Sequence, residues 1–140
     1  MTIYPHITMH YELLEQITRE KNPEIKKRLC LEDISIFPEF RKELLMQADE
    51  IVQKSKASDD RIGEHHPLEY YKRKYAHNYI IPRFPSFKAL AIIYEREGEY
   101  EEAIGICKDA IKLGLQDDGT KGGMTERIRK LQAKLDKENG

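Results

Sequence analysis

The stretch from Tyr70 to Lys88 contains residue types that bind nucleic acid. Its basic side chains alternate with aromatic rings, and no acidic residue interrupts them. Basic groups neutralise phosphates and rings stack on bases, so the stretch has the ingredients of a single-strand binding surface. The residues of this basic/aromatic patch are Tyr70, Lys72, Arg73, Lys74 and Arg83. A nucleic-acid-binding accessory protein is therefore one candidate function.

A structural role also explains this stretch, and we favour it. A helix that begins near Pro67 would place Tyr71, Tyr75 and Tyr79 four residues apart on one buried stripe. The neighbouring lysines and arginine would then form a solvated edge of that helix. A net charge of -1 for the whole chain offers phosphates little attraction.

Three histidines close to this stretch are candidate metal ligands. His65 and His66 are adjacent, and His77 follows eleven positions after His66. Ligands must converge on a metal, whereas neighbouring side chains of an extended segment point to opposite sides. These three histidines are not spaced as His-x-x-x-His, and the chain has no Cys-x-x-Cys. We expect an exposed polar loop here, and a metal-dependent enzyme is the third candidate function.

No other motif predicts catalysis. A Ser, Cys or Thr nucleophile with a neighbouring histidine is not apparent, and no strand precedes Gly119, Gly122 and Gly123 as phosphate-binding loops require. His10 is expected to be a core or rim residue rather than a catalyst. The sequence therefore predicts a protein that is not an enzyme and needs no cofactor.

Composition indicates one domain of a soluble helical protein. The 140 residues suffice for one core, and charged residues make up 35% of them with the two signs nearly balanced. No leader and no apolar run of membrane-spanning length is evident, so we expect a cytoplasmic protein without membrane contact. Cys30 and Cys107 are expected to be buried free thiols.

These candidate residues must be positioned by helices, and the clearest helical pattern lies between residues 84 and 117. Phe87, Leu90, Ala91 and Tyr94 form one apolar stripe. A second stripe contains Ala103, Cys107, Ala110 and Ile111. Gly98 is suited to the left-handed turn between them, and small Ala91 and Ala103 allow close approach. Two antiparallel helices are predicted.

Residue types and spacing in this helix pair resemble a tetratricopeptide repeat. One such repeat cannot bury its own face, so the resemblance implies neighbouring repeats. Residues 7–40 resemble a degenerate copy, with a stop and restart at Asn22-Pro23 and Cys30 aligned on Cys107. Leu13 and Ile17 belong to its first apolar stripe.

Residues 41–83 are interpreted as a middle repeat with about nine additional residues. Leu44, Ala48 and Ile51 continue the helical stripe, and the polar segment 55–66 is predicted to be an inserted loop. The following helix would bury Ala76 and Ile80. A capping helix is expected over residues 124–138, which predicts an all-α fold of about seven helices in a short right-handed superhelix over residues 1–140.

Proteins with such repeats are mostly interaction scaffolds that bind a peptide or helix in a concave groove. The resemblance thus implies a protein-protein interaction adaptor with a protein or peptide partner, bound in the groove or through the inserted loop, and a homodimer is the alternative assembly. The groove residues that it implies are Tyr11, Glu15, Leu45, Asp49, Val52, Lys88, Ile92, Glu95 and Arg96. The pattern of the chaperone carboxylate clamp is not matched, because Tyr11 and Glu15 stand where its first unit has Lys and Asn.

Overall fold

The computed structural model describes residues 3–140 and shows an all-α protein, which confirms the predicted fold class. Seven α-helices, one 3-10 helix and no strand occur within these residues. The α-helices are α1 (Pro5–Arg19), α2 (Pro23–Ser35), α3 (Phe37–Arg61), α4 (Leu68–Lys74), α5 (Pro85–Arg96), α6 (Tyr100–Lys112) and α7 (Gly123–Asn139). The 3-10 helix, Ala76–Tyr79, follows α4.

Two helix boundaries follow directly from local chemistry. The Asn22 side-chain oxygen accepts hydrogen bonds from the backbone N–H groups of Glu24 at 2.9 Å and Ile25 at 3.2 Å, so it caps α2. Gly98 adopts a φ of 76° between α5 and α6, a conformation that glycine adopts without strain. Both predicted boundaries are confirmed.

The chain divides into two compact units. One, which we call the α3–α4 unit, contains the described residues up to Met9 together with Ile36–Pro82. The other, the α5–α7 unit, contains His10–Ser35 and Arg83–Gly140.

Helices of the α5–α7 unit pack in the series α2, α5, α6, α7. Ile17 of α1, Cys30 of α2 and Leu90 of α5 form a buried cluster. Ala91 and Ala103 are 1% and 0% exposed, as the predicted close approach requires. Three stacked repeats would place a middle helix pair between α2 and α5. In the structure α2 packs directly on α5, so the packing order differs from that expectation.

The linker before α7 supplies the cap of that helix. Gln116 accepts hydrogen bonds from the backbone N–H groups of Thr125, at 3.0 Å through its side chain, and Met124, at 2.8 Å through its carbonyl. A Cβ at Gly123 would overlap the Gln116 carbonyl oxygen, so this close contact requires glycine. The predicted last helix is confirmed with bounds Gly123–Asn139.

In the α3–α4 unit, α3 is longer than predicted. The expected loop over residues 55–66 is wrong for its first half, since α3 continues without a break to Arg61. An ion pair from Lys56 to Asp60, 3.0 Å long and one turn apart, supports this polar part of the helix. Within the predicted loop, residues 62–66 are not helical.

The segment after Pro67 also departs from the prediction. A helix begins there, but α4 ends at Lys74 and the chain continues as a 3-10 helix, so the four-residue spacing does not persist. Tyr71 is buried, whereas Ala76 and Ile80 are exposed. The predicted burial of Ala76 and Ile80 is therefore wrong.

Candidate functional site

An open groove of about 710 Å³ lies in the α5–α7 unit, between α5 and the connection from α1 to α2. Its apolar lining consists of Pro23, Pro85, Ala89, Ile92 and Ile93. Its charged lining consists of Glu20, Lys21, Lys26, Lys88, Arg96 and Glu97. The groove therefore combines an aliphatic floor with a charged margin.

Helix α5 forms one side of the groove because three of its residues share a face. Lys88, Ile92 and Arg96 are four residues apart, which places them in line along the helix. The opposite side is built by the capped start of α2, where Pro23 begins the helix and Lys26 lies one turn further. Glu20 and Lys21 complete this side from the non-helical connection between α1 and α2.

The groove lining has four cationic residues and two acidic residues, and the two groups differ in their ion pairs. Within residues 3–140, no ion pair involves Lys21, Lys26, Lys88 or Arg96. Glu97 is already engaged by Lys27, at 2.7 Å. That hydrogen bond raises the pKa of Lys27 above its ordinary value. The groove therefore presents an excess of uncompensated positive charge.

A second polar cluster of this unit is buried. Asp33 accepts hydrogen bonds from His10 Nδ1, at 2.8 Å, and from the Ser86 hydroxyl, and all three residues are at most 2% exposed. The His10 ring stacks on Phe84 with ring centroids 4.2 Å apart. Ser86 donates to the carboxylate rather than to the imidazole, so the histidine does not activate it as a nucleophile. His10 is a core residue, as expected.

The structure brings together three of the predicted groove residues, namely Lys88, Ile92 and Arg96. Glu95 instead pairs with Lys134 of α7, and Glu15 pairs with Arg19 at 2.7 Å. Tyr11 is 53% exposed but does not line the groove. The side formed by Lys21, Pro23 and Lys26 was not predicted, because the sequence does not show that α2 packs on α5.

The remaining predicted groove residues belong to α3. Asp49 accepts a hydrogen bond from the Tyr79 hydroxyl at 2.7 Å, which raises the pKa of Tyr79 to about 12. Leu45 is 38% exposed. Val52 is only 1% exposed, so the prediction that it contacts a partner is wrong.

The basic/aromatic patch is largely accessible in the α3–α4 unit. Lys72, Arg73 and Lys74 are exposed, and Tyr70 is 41% exposed with its ring stacked on His66 at 4.0 Å. Arg83 belongs to the other unit, where it pairs with Asp117 at 3.2 Å.

Two of the three candidate metal ligands lie close to acidic side chains. His65 hydrogen bonds to Asp60 at 3.0 Å, and His66 lies 3.7 Å from Glu64. His77 is exposed in the 3-10 helix. Among the described residues, no three His, Cys, Asp or Glu side chains are grouped so that they could hold a metal ion.

Both cysteines are buried free thiols, as expected. Burial raises the pKa of Cys30 and of Cys107 to about 11, so thiolate is scarce at neutral pH. Neither side chain has the accessible, low-pKa environment of a reactive cysteine.

Within residues 3–140, no helix is both long and apolar enough to cross a membrane. In comparisons with known proteins, no family model, curated protein or solved structure matches the chain. The function must therefore be argued from the geometry of its surfaces.

Proposed function

We propose that this chain is a non-enzymatic, cytoplasmic adaptor that binds a peptide or helix of another protein in the groove along α5. The observation that supports the proposal is the open groove of about 710 Å³ with an aliphatic floor and unpaired cations at its margin. Such grooves accommodate amphipathic segments through apolar anchors.

We also infer a relationship to the tetratricopeptide repeats. The helix pair α5–α6, the packing of α2 on α5 and the final helix α7 support stacked helix pairs with a cap. On this interpretation, Ile36–Pro82 is an insertion in the chain between two helix pairs rather than a middle repeat.

Photocrosslinking tests the groove directly. A benzoylphenylalanine that replaces Ile92 in the groove should crosslink to a protein in host cells, and mass spectrometry of the adduct identifies that partner. The matched control replaces Ile111, an exposed apolar residue of α6 outside the groove lining. The purified partner should then bind the wild type but not Ile92→Asp. Equal crosslinking at both positions, or binding unaffected by Ile92→Asp, would contradict the proposal.

A nucleic-acid accessory function is the second candidate, favoured by three consecutive exposed cations beside Tyr70. Fluorescence anisotropy with a labelled single-stranded DNA should then detect binding that weakens steeply with salt. The triple variant Lys72→Ala/Arg73→Ala/Lys74→Ala should abolish it. Salt-independent binding, or none, would eliminate this candidate.

A further inference from the structure

We propose that the groove along α5 accepts an acidic amphipathic helix whose carboxylates lie about two turns apart on either side of an apolar anchor. This inference rests on the proposed adaptor function and specifies the chemistry of the partner.

The charge of the groove lining determines the sign of the charge that its partner carries. Four cations line the groove and, within the described chain, none of them forms an ion pair, while one of the two acidic lining residues is already bound to Lys27. An occupant with carboxylates would compensate this excess, whereas a basic occupant would add like charges at close range. The groove therefore selects an acidic segment.

Spacing determines where the carboxylates lie. Lys88, Ile92 and Arg96 follow one another every fourth residue on α5. With a rise of about 1.5 Å per residue, the two cations are separated by about 12 Å along the axis, with the isoleucine midway. A helix aligned with α5 meets this pattern with acidic, apolar and acidic residues that are also four positions apart.

The apolar lining of the groove argues against single-stranded nucleic acid as the occupant. Its apolar residues are two prolines, an alanine and two isoleucines, and none of the aromatic side chains within residues 3–140 lines the groove. Single-stranded nucleic acid gains much of its binding energy from bases stacked on aromatic rings. Aliphatic side chains such as leucine fill a floor of this kind better, so we assign the occupant to protein.

Three synthetic peptides test the assignment. The first is a fluorescein-labelled helical peptide with glutamates two turns apart and a leucine midway between them. The second has glutamines in place of the glutamates, and the third has the same composition with the glutamates one turn apart. We expect the first to bind about tenfold more tightly than the second, because two partly exposed ion pairs contribute about 1.4 kcal/mol in total. It should bind about threefold more tightly than the third, because that peptide can still form one of the two ion pairs. Equal affinities would overturn the inference.

Charge reversal provides the decisive variant. Lys88→Glu/Arg96→Glu should lose the preference for the glutamate peptide and bind a lysine version of it instead. The matched control is Lys108→Glu/Lys112→Glu, which reverses two exposed lysines four residues apart on α6. Circular dichroism checks that each variant is folded, and Lys88→Gln/Arg96→Gln serves if the reversed variant is not. A loss in the control equal to that in the groove variant would contradict the assignment.

Failure of this inference is distinguishable from failure of the proposed function. A partner crosslinked through position 92, with no advantage for the glutamate peptide, would preserve the adaptor and overturn the acidic helix. Concentration-dependent dimerisation that Ile92→Asp abolishes would assign the groove to a second copy of the chain. Displacement of the bound peptide by single-stranded DNA would also overturn the inference.

Discussion

At the scale of single residues, Asp33 links three helices of the α5–α7 unit. Its carboxylate lies on α2 and accepts hydrogen bonds from His10 on α1 and Ser86 on α5. Because all three side chains are buried, water cannot replace a lost partner. The groove depends on this link, since α2 and α5 form its two sides.

Removal of this carboxylate should destabilise the fold. Asp33→Ala removes the acceptor of two buried hydrogen bonds, and each such loss costs about 1–3 kcal/mol, so we expect a decrease of about 2–6 kcal/mol in unfolding free energy. Urea unfolding followed by circular dichroism measures the change. Glu32→Ala, on the exposed side of the same helix, should alter the free energy by less than about 0.5 kcal/mol. Similar values for the two variants would show that the buried network does not stabilise the protein.

At the scale of elements, α3 shows where sequence patterns fail. Ser55, Ser58 and Asp59 suggested a loop because polar residues without an apolar stripe are typical of connections. In the structure the segment is the partly exposed end of a long helix, stabilised by the Lys56–Asp60 pair and by a hydrogen bond from the Tyr71 hydroxyl to Asp59 at 2.9 Å. These contacts stabilise a helix over residues whose polarity alone predicts a loop.

Glycine substitution distinguishes the helix from a loop. Ala57 lies in α3 and is exposed, so Ala57→Gly should lower the unfolding free energy by about 1 kcal/mol through the loss of helix propensity. Chemical denaturation provides the measurement. Glu64→Gly, which alters the connection after α3, should have an effect below about 0.5 kcal/mol. A loop at position 57 would instead make Ala57→Gly as neutral as the control.

At the scale of the whole molecule, the sequence predicts where helices form better than it predicts which helices pack together. Periodicity shows which face of a helix is buried, and it correctly placed Leu90, Ala91 and Ala103 in the core. It does not show which helix covers that face, because the contacting residues are far apart in the chain. The direct packing of α2 on α5 is such a contact, so the four lining residues on the α2 side of the groove could not be predicted from the sequence.

The ion pair between Asp118 and Arg127, 3.0 Å long, ties the last linker to α7 and makes the stability of the protein pH-dependent. Burial alone would raise the pKa of Asp118, but hydrogen bonds from Thr120 and Arg127 outweigh it and hold the pKa below its ordinary value of 3.8. A carboxyl with a lowered pKa in the folded state stabilises that state above its ordinary pKa, and this contribution is lost as the pH falls towards the folded-state value.

Asp118→Asn should therefore reduce stability at neutral pH and flatten the acid dependence, because the amide cannot be protonated in this range. Thermal unfolding midpoints measured between neutral pH and about pH 3 should differ between wild type and variant at neutral pH and converge as the pH falls. The matched control is Asp109→Asn, at an exposed position of α6, which also removes one negative charge. Curves that stay parallel down to the lowest pH would mean that Asp118 is not preferentially ionised in the folded protein.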